Sequence, residues 1–232
     1  MTVYLHRKIL KIMYEIKIYV YNPTGKPVKT DHNYTQKMHG FVSNLMGDNN
    51  YGNIGGDYHY SKIYGLNPGG TIKPGFIGYF IVRMTREKFK SLTENWDKCK
   101  NTGIYGLELY GLLPSFTDLG KGVFKTNIYS PIMFSTKSIN RKDSLSDDEL
   151  RHCEKYLMNN IKDKANALNF TLDENLSIRI LKQNKPSYQM LHRYRNVGRV
   201  FDLEINCNEE TKEFILINGL GQSSKCGFGF IE

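Results

Sequence analysis

Residues Tyr14 to Val20 read YEIKIYV, with Tyr14, Ile16, Ile18 and Val20 on one side of the alternation and Glu15, Lys17 and Tyr19 on the other. A period of two with one apolar side marks a strand that covers a core with a single face. Asn22-Pro23-Thr24-Gly25-Lys26-Pro27 breaks this strand, because proline and glycine clusters favour turns. From about Asp31 the period becomes helical, with Tyr34, Met38, Phe41, Val42 and Leu45 on one face, and Gly47 with Asp48-Asn49-Asn50 ends the helix. A strand near Asp57 to Gly65, a loop from Leu66 to Gly75 and a strand from Phe76 to Met84 follow. Thr85-Arg86-Glu87-Lys88 then opens a helix that carries Phe89, Leu92 and a core Trp96, and a strand from Ile104 to Leu112 closes a βαββαβ unit.

The pattern is expected to run a second time after Pro114-Ser115-Phe116, starting with a strand from Val123 to Ser135. Ser146 with Glu149 three residues later forms a capping box, and Leu150, Cys153, Leu157 and Ile161 repeat at helical spacing. Strands near Leu176 to Leu181 and Gln189 to Ile205, a short helix from Asn208 to Phe214, a glycine-rich loop and a strand from Gly227 to Ile231 complete the pass. The sequence therefore predicts an α+β protein of two tandem ferredoxin-like βαββαβ domains, residues 1–115 and 116–232, ending in a glycine-rich loop.

A chain of 232 residues with 40% hydrophobic side chains suffices for such cores, and disorder is not expected. No apolar run approaches the ~18 residues of a membrane span, and MTVYLHRKILKIMYEIKIYV is too interrupted by charge for a signal peptide. A soluble, cytoplasmic protein without a membrane partner is expected. Cys99, Cys153, Cys207 and Cys226 show no C-x-x-C spacing, and the six histidines form no metal-binding pattern, so neither a metal nor another cofactor is expected. The excess of 32 Lys+Arg over 23 Asp+Glu, a formal +9, favours polyanions. Sixteen Tyr and twelve Phe point to RNA, whose unstacked bases rest on aromatic rings, rather than to a membrane surface, which would want a basic amphipathic helix.

Residues 219–230 read GLGQSSKCGFGF, two Gly-φ-Gly units flanking five residues that include Lys225. Paired glycines around a lysine can turn backbone N–H groups and a cation toward phosphates, although a glycine-rich hairpin has the same composition. The string is not a Walker loop. Gly219, Gly221, Lys225, Gly227 and Gly229 resemble the C-terminal glycine loop of the RAMP superfamily, specifically the CRISPR repeat-RNA processing endoribonucleases, the sixth of the numbered Cas proteins. NYTQKMHGFVSNLMG followed by YHYSKIYG resembles the family's first helix and next strand. The resemblance implies metal-independent cutting of precursor transcripts into guide RNAs. It also implies CRISPR repeat RNA as the partner, an interference complex as recipient of the product, and a monomer or homodimer.

His32, Gln36, His39 and Ser43, at offsets 0, 4, 7 and 11, form a straight stripe expected to face away from the core, toward a cleft or the second domain. Metal-free cleavage uses the ribose 2′-OH as nucleophile and needs a base, an acid and donors to the charged phosphorane, and histidine supplies either proton transfer. The family likeness places the general base at His39, with His32 second and Ser43 or Lys37 as phosphate donors. A loop histidine and a lysine used by some relatives have no counterpart between Gly47 and Gly56. His59, within a strand, reads as packed or RNA-contacting. Arg179, Lys182, Lys185, Arg193, Arg195 and Arg199, interleaved with Tyr188, His192 and Tyr194 and free of acids, read as a basic ribbon for RNA or as a solvated edge. The alternatives are a non-catalytic RAMP subunit holding guide RNA in an interference complex and an RRM-type binding module, the latter lacking its RNP1 string.

Overall fold

The alternation of YEIKIYV becomes β1 (Tyr14–Tyr21), which buries Ile16, Ile18 and Val20 and turns Lys17, Tyr19 and Tyr21 to the opposite face. The structure is a computed structural model that describes residues 13–31, 33–48, 57–66, 69–100, 103–115, 122–127, 132, 134, 137–184, 186–191, 194–222, 224 and 229–231. After β1 come β2 (Val28–Lys29), α1 (Tyr34–Leu45), β3 (Tyr58–Tyr60), β4 (Thr71–Ile72), β5 (Ile77–Met84), α2 (Arg86–Cys99) and β6 (Glu108–Ser115). The sheet runs β3-β5-β1-β6 with every neighbour antiparallel, the strand order of a ferredoxin-like unit. Tyr14 pairs with Met84 and Tyr21 with Ile77, so Ile16, Ile18, Phe80 and Val82 share the face on which α1 and α2 pack.

α1 stops where Gly47 adopts φ +63°. The Gly47 N–H donates to Asn44 O at 3.1 Å and the Asp48 N–H to Ser43 O at 2.8 Å, a Schellman closure that needs the left-handed residue. Two expectations change here. The strand near Asp57 to Gly65 shortens to three residues plus a single bridge from Tyr64 to Tyr79, and the loop from Leu66 to Gly75 contains β4, which pairs with β2. β6 starts later than expected, after a single turn at Ile104–Gly106, and carries Pro114, which an edge strand accepts because its outward N–H has no partner.

The second half contains β7 (Gly122–Asn127), α3 (Lys137–Arg141), α4 (Asp147–Ala167), β8 (Ser177–Gln183), β9 (Ser187–Leu191), β10 (Tyr194–Gly198), β11 (Phe201–Cys207) and α5 (Glu209–Asn218). The capping box forms as read: Ser146 accepts from Glu149 N and the Glu149 side chain accepts from the Ser146 N–H, with three acids in the first turn favouring the helix dipole. Among the described residues the sheet is β7-β11-β8, the order in which strands one, three and two of a ferredoxin-like unit lie. The chain is thus an α+β protein of two tandem ferredoxin-like units. The strand expected from Gln189 to Ile205 is interrupted: β8 pairs with β11, and beyond Pro186 β9 and β10 form their own hairpin. Of the expected terminal strand, residues 227 and 228 lie outside the described residues, Gly229 is in a turn and Ile231 forms a single bridge.

Buried apolar side chains form two clusters, one between Ile16 and Leu109 and the other between Ile132 and Ile231. The two halves are joined at Arg83. Its Nε donates to Glu15 Oε2 at 2.7 Å, its Nη1 donates to the Ile231 carbonyl at 2.5 Å, and its guanidinium lies 4.5 Å over the Phe230 ring. Both partners of this ion pair are buried. Removing one partner of a buried pair leaves an uncompensated charge and costs about 3–5 kcal/mol. Arg83→Met is therefore expected to lower the denaturant midpoint severely, with Arg83→Met/Glu15→Leu recovering part of the loss; equal stability of both variants would show that Glu15 needs no counter-charge.

Candidate active site

Two members of the polar stripe of α1 do not face solvent. His39 and Ser43 are buried, each within a seam between α1 and β3. Tyr60 Oη lies 3.4 Å from His39 Nδ1, Tyr58 Oη lies 3.3 Å from Ser43 Oγ, and the Tyr58 hydroxyl also donates to Asp48 Oδ2 at 3.3 Å. β9, from the second half, packs against α1. A helical wheel turns the stripe away from the core, but the edge-strand tyrosines of β3 meet His39 and Ser43 there. The stripe is expected to face a cleft or the second domain; the side-chain partners of His39 and Ser43 are β3 tyrosines of their own half.

Lys37 is separated from this cluster. It lies two residues, about 200°, round the helix from His39, and its Nζ pairs with Asp31 Oδ2 at 2.7 Å and sits 4.5 Å over the Tyr105 ring. The Lys37 ammonium and the Tyr105 hydroxyl, which donates to Asp31 Oδ1 at 2.6 Å, hold the Asp31 carboxyl below its ordinary range. Tyr105 itself takes φ +57°, a conformation rare for a bulky side chain and fixed here by that bond. Lys37 is therefore engaged at the start of α1 and does not join His39 and Ser43. His32 lies outside the described residues. Gln36 is exposed.

The glycine loop packs where the two halves meet. Gly219, Gly221 and Gly229 have φ of +63°, +74° and +66°. A Cβ on Gly219 would stand 2.2 Å from Cε1 of the buried His59, and one on Gly229 would stand 1.9 Å from the Leu220 carbonyl oxygen, so these glycines answer to the protein's own packing. Leu220 and Phe230 are fully buried, and Phe230 rests against the His59 ring at 5.2 Å. His59 is thus packed. Lys225, Gly227 and Phe228 lie outside the described residues.

Lys164 on α4 holds this loop, and sequence reading missed it because it looks like one more polar position of a helix. Its Nζ faces the carbonyls of Asn218 at 3.1 Å, Gly219 at 2.9 Å and Gly221 at 3.2 Å and the Ser224 hydroxyl at 3.1 Å. Burial pulls its pKa from 10.5 down to about 7.

The basic ribbon divides. Arg179 and Lys182 are exposed on β8, Arg195 stands in β10 opposite Met190, and Lys185, His192 and Arg193 lie outside the described residues. Arg199 is a correction. It is fully buried, with its guanidinium donating to the carbonyls of Ile139, Lys142 and Asn184 and to Gln183 Oε1, so it fastens α3 to the ribbon instead of meeting phosphate. Among the described residues no group of three His, Cys, Asp or Glu side chains could hold a metal ion, and no helix is long and apolar enough to cross a membrane. Burial pushes the thiols of Cys153 and Cys207 up to about 11 each, which makes them poor nucleophiles.

Tandem ferredoxin-like units, a C-terminal glycine loop docked between them and a histidine-bearing first helix define an RNA-binding protein of the RAMP type. A family model described as CRISPR associated protein Cas6, C-terminal, matches residues 116–232, and the chain belongs to that family and is an endoribonuclease. No curated protein matches the sequence. Among solved structures the chain is similar to one described as a RAMP protein binding different RNA substrates, at 15% identity and TM-score 0.72 over 94% of this chain and 98% of that one. It is also similar to the product of a Cas6-related gene from Pyrococcus furiosus, at 16% identity and TM-score 0.70 over 95% and 98%. A third, described as CRISPR associated protein Cas6, stands at 15% identity and TM-score 0.67 over 95% and 98%.

The clamp makes a prediction with a definite sign. Between pH of about 7 and 10.5 the unfolded chain keeps a proton on Lys164 that the folded chain has lost, so this group adds stability as pH rises through that window. The stability of wild type relative to Lys164→Met should therefore grow from pH 7 to pH 10 in urea denaturation. A difference that stays flat would mean that the four acceptors keep the ammonium charged.

Proposed function

We propose that the chain cuts CRISPR repeat RNA within precursor transcripts, once per repeat and without metal, with His39 as general base. The observation that carries this reading is the position of His39, beside Tyr60 on the helix against which β9 packs, so that RNA tracking along the ribbon meets the helix that bears the ring. With Nδ1 turned to the Tyr60 hydroxyl, Nε2 takes the proton of the ribose 2′-OH. The 2′-oxygen then bonds to phosphorus, the bond from phosphorus to the 5′-oxygen breaks, and the departing oxygen takes a proton from an acid, for which His32 is the counterpart. Ser43, one turn along α1, is the donor to the phosphorane once its hydroxyl turns from Tyr58 to the RNA. The glycine loop and the exposed cations of β8 contribute to binding the repeat. The division into domains at residues 115 and 116 goes with this reading, as do a cytoplasmic location, a monomeric or homodimeric state and delivery of the product to an interference complex.

His39→Ala should lower single-turnover cleavage about 10²- to 10⁴-fold and leave repeat-RNA affinity within a few-fold, because the base acts on a proton and not on the phosphate charge that dominates binding. EDTA should change nothing, and a 2′-deoxy substitution at the cut site should block cutting while the RNA still binds. Wild-type rates in His39→Ala would remove the assignment. A wild-type protein that binds repeat RNA and never cuts it would favour the non-catalytic subunit.

A further inference from the structure

Among the described residues, the face of the first sheet turned away from α1 and α2 is only half covered. At one end Glu15, Arg83 and His59 meet the C-terminal residues. The other end is open and aromatic. Register sets Tyr19 opposite Tyr79, and a bridge sets Tyr64 beside Tyr79, so three rings cross neighbouring strands in one row. Tyr64 and Tyr79 stack at 4.6 Å and 15°, Tyr19 leans on Tyr79 at 5.8 Å, and Lys17 Nζ lies 5.5 Å over the Tyr79 ring. Tyr21 and Tyr110 meet edge to face at 5.7 Å beside the row. Tyr110 is 68% exposed, with Ile77 at 63% and Leu113 at 51%. Gly111, paired with Tyr19, leaves a flat seat where a Cβ would meet nothing within 4 Å.

Single exposed apolar residues are ordinary, but a contiguous patch of this kind marks a binding surface. The charges on it select the partner. Glu15 is neutralised by Arg83, Glu108 accepts a hydrogen bond from the Tyr21 hydroxyl, and Lys17 makes no ion pair among the described residues. The surface thus offers π faces, a cation at Lys17 and, beside Tyr21 at its edge, the carboxylate of Glu108. Single-stranded nucleic acid brings what is missing, flat bases for the rings and phosphates for the lysine.

We propose that this face is a stacking platform for unpaired nucleotides that flank the segment of RNA being cut, a proposal that rests on the chain being an RNA endonuclease. β5 supplies the continuity: it carries Arg83, under the C-terminal loop, and four residues earlier on the same face Tyr79, about 13 Å away at ~3.3 Å per residue. A strand leaving the loop runs directly onto the rings.

The test uses the full chain and a repeat RNA made uncleavable by one 2′-deoxy nucleotide, bare or extended at either end with about ten uridines or as many abasic nucleotides. One of the uridine extensions should tighten binding about tenfold, and the abasic one should not. The gain should vanish in Tyr19→Ala/Tyr79→Ala and persist in Tyr19→Phe/Tyr79→Phe, while affinity for the bare repeat, and cutting of its all-ribose form, stay at wild-type values. Should the alanine pair fail to fold by circular dichroism, Tyr110→Ala, at a largely exposed position, carries the same test. An abasic extension that helps as much as uridine, or an alanine variant that keeps the gain, overturns the proposal. So does a change of sedimentation from dimer to monomer with the gain intact, which would assign the face to a second copy. Failure of wild type to bind or cut the bare repeat would instead strike the endonuclease reading.

Discussion

The guanidinium of Arg83 is the constraint on which the arrangement of the two halves depends. It sits on β5, satisfies the buried carboxylate of Glu15 on β1 through Nε, and donates from Nη1 to the carbonyl of Ile231. A buried ion pair is weak evidence for net stability, since desolvation opposes the attraction, but it is strict about geometry. The third partner here is a backbone carbonyl from the other half, so the sheet of the first half fixes where the C-terminal loop must lie. Phe230 then covers the cation and touches His59, and the absence of a side chain at Gly219 lets the loop descend onto that ring.

Two consequences follow for the site. The loop is set between Lys164 of α4 below and β3 beside it: its carbonyl oxygens turn to an ammonium, while the N–H groups of Gly219 and Leu220 donate to Ile215 and Gly229. α1, lying across the opposite face of the same sheet, receives β9, which brings the ribbon from the second half against the helix that carries His39 and Ser43. The candidate base is therefore held by both halves, although it belongs to one.

Much of this was legible in sequence, and the omissions have physical causes. YEIKIYV, the apolar row of α1, Gly47 and the Ser146–Glu149 box act through local geometry, and each produces the element read from it. The ribbon was harder, because a run of cations without acids says nothing about which of them is solvated. Arg199 is enclosed by carbonyls of α3 and its loop, a contact that only tertiary structure creates. Lys164 escaped notice for the same reason. A helical wheel treats one helix by itself, so the stripe of His39 and Ser43 read only as turned from the core, and the β3 hydroxyls of Tyr58 and Tyr60 that meet it belong to tertiary structure. The β2–β4 pair and α3, two and five residues long, are too short to carry a period.

The central claim is that a side chain of α1 activates the RNA's own 2′-hydroxyl, and the ends of the cut RNA record whether it does. Mass spectrometry of the two fragments from a single turnover in EDTA should find a 2′,3′-cyclic phosphate on the upstream piece and a free 5′-hydroxyl on the downstream one. A 5′-phosphate beside an unmodified 3′-hydroxyl would mean that water was the nucleophile and would contradict the account.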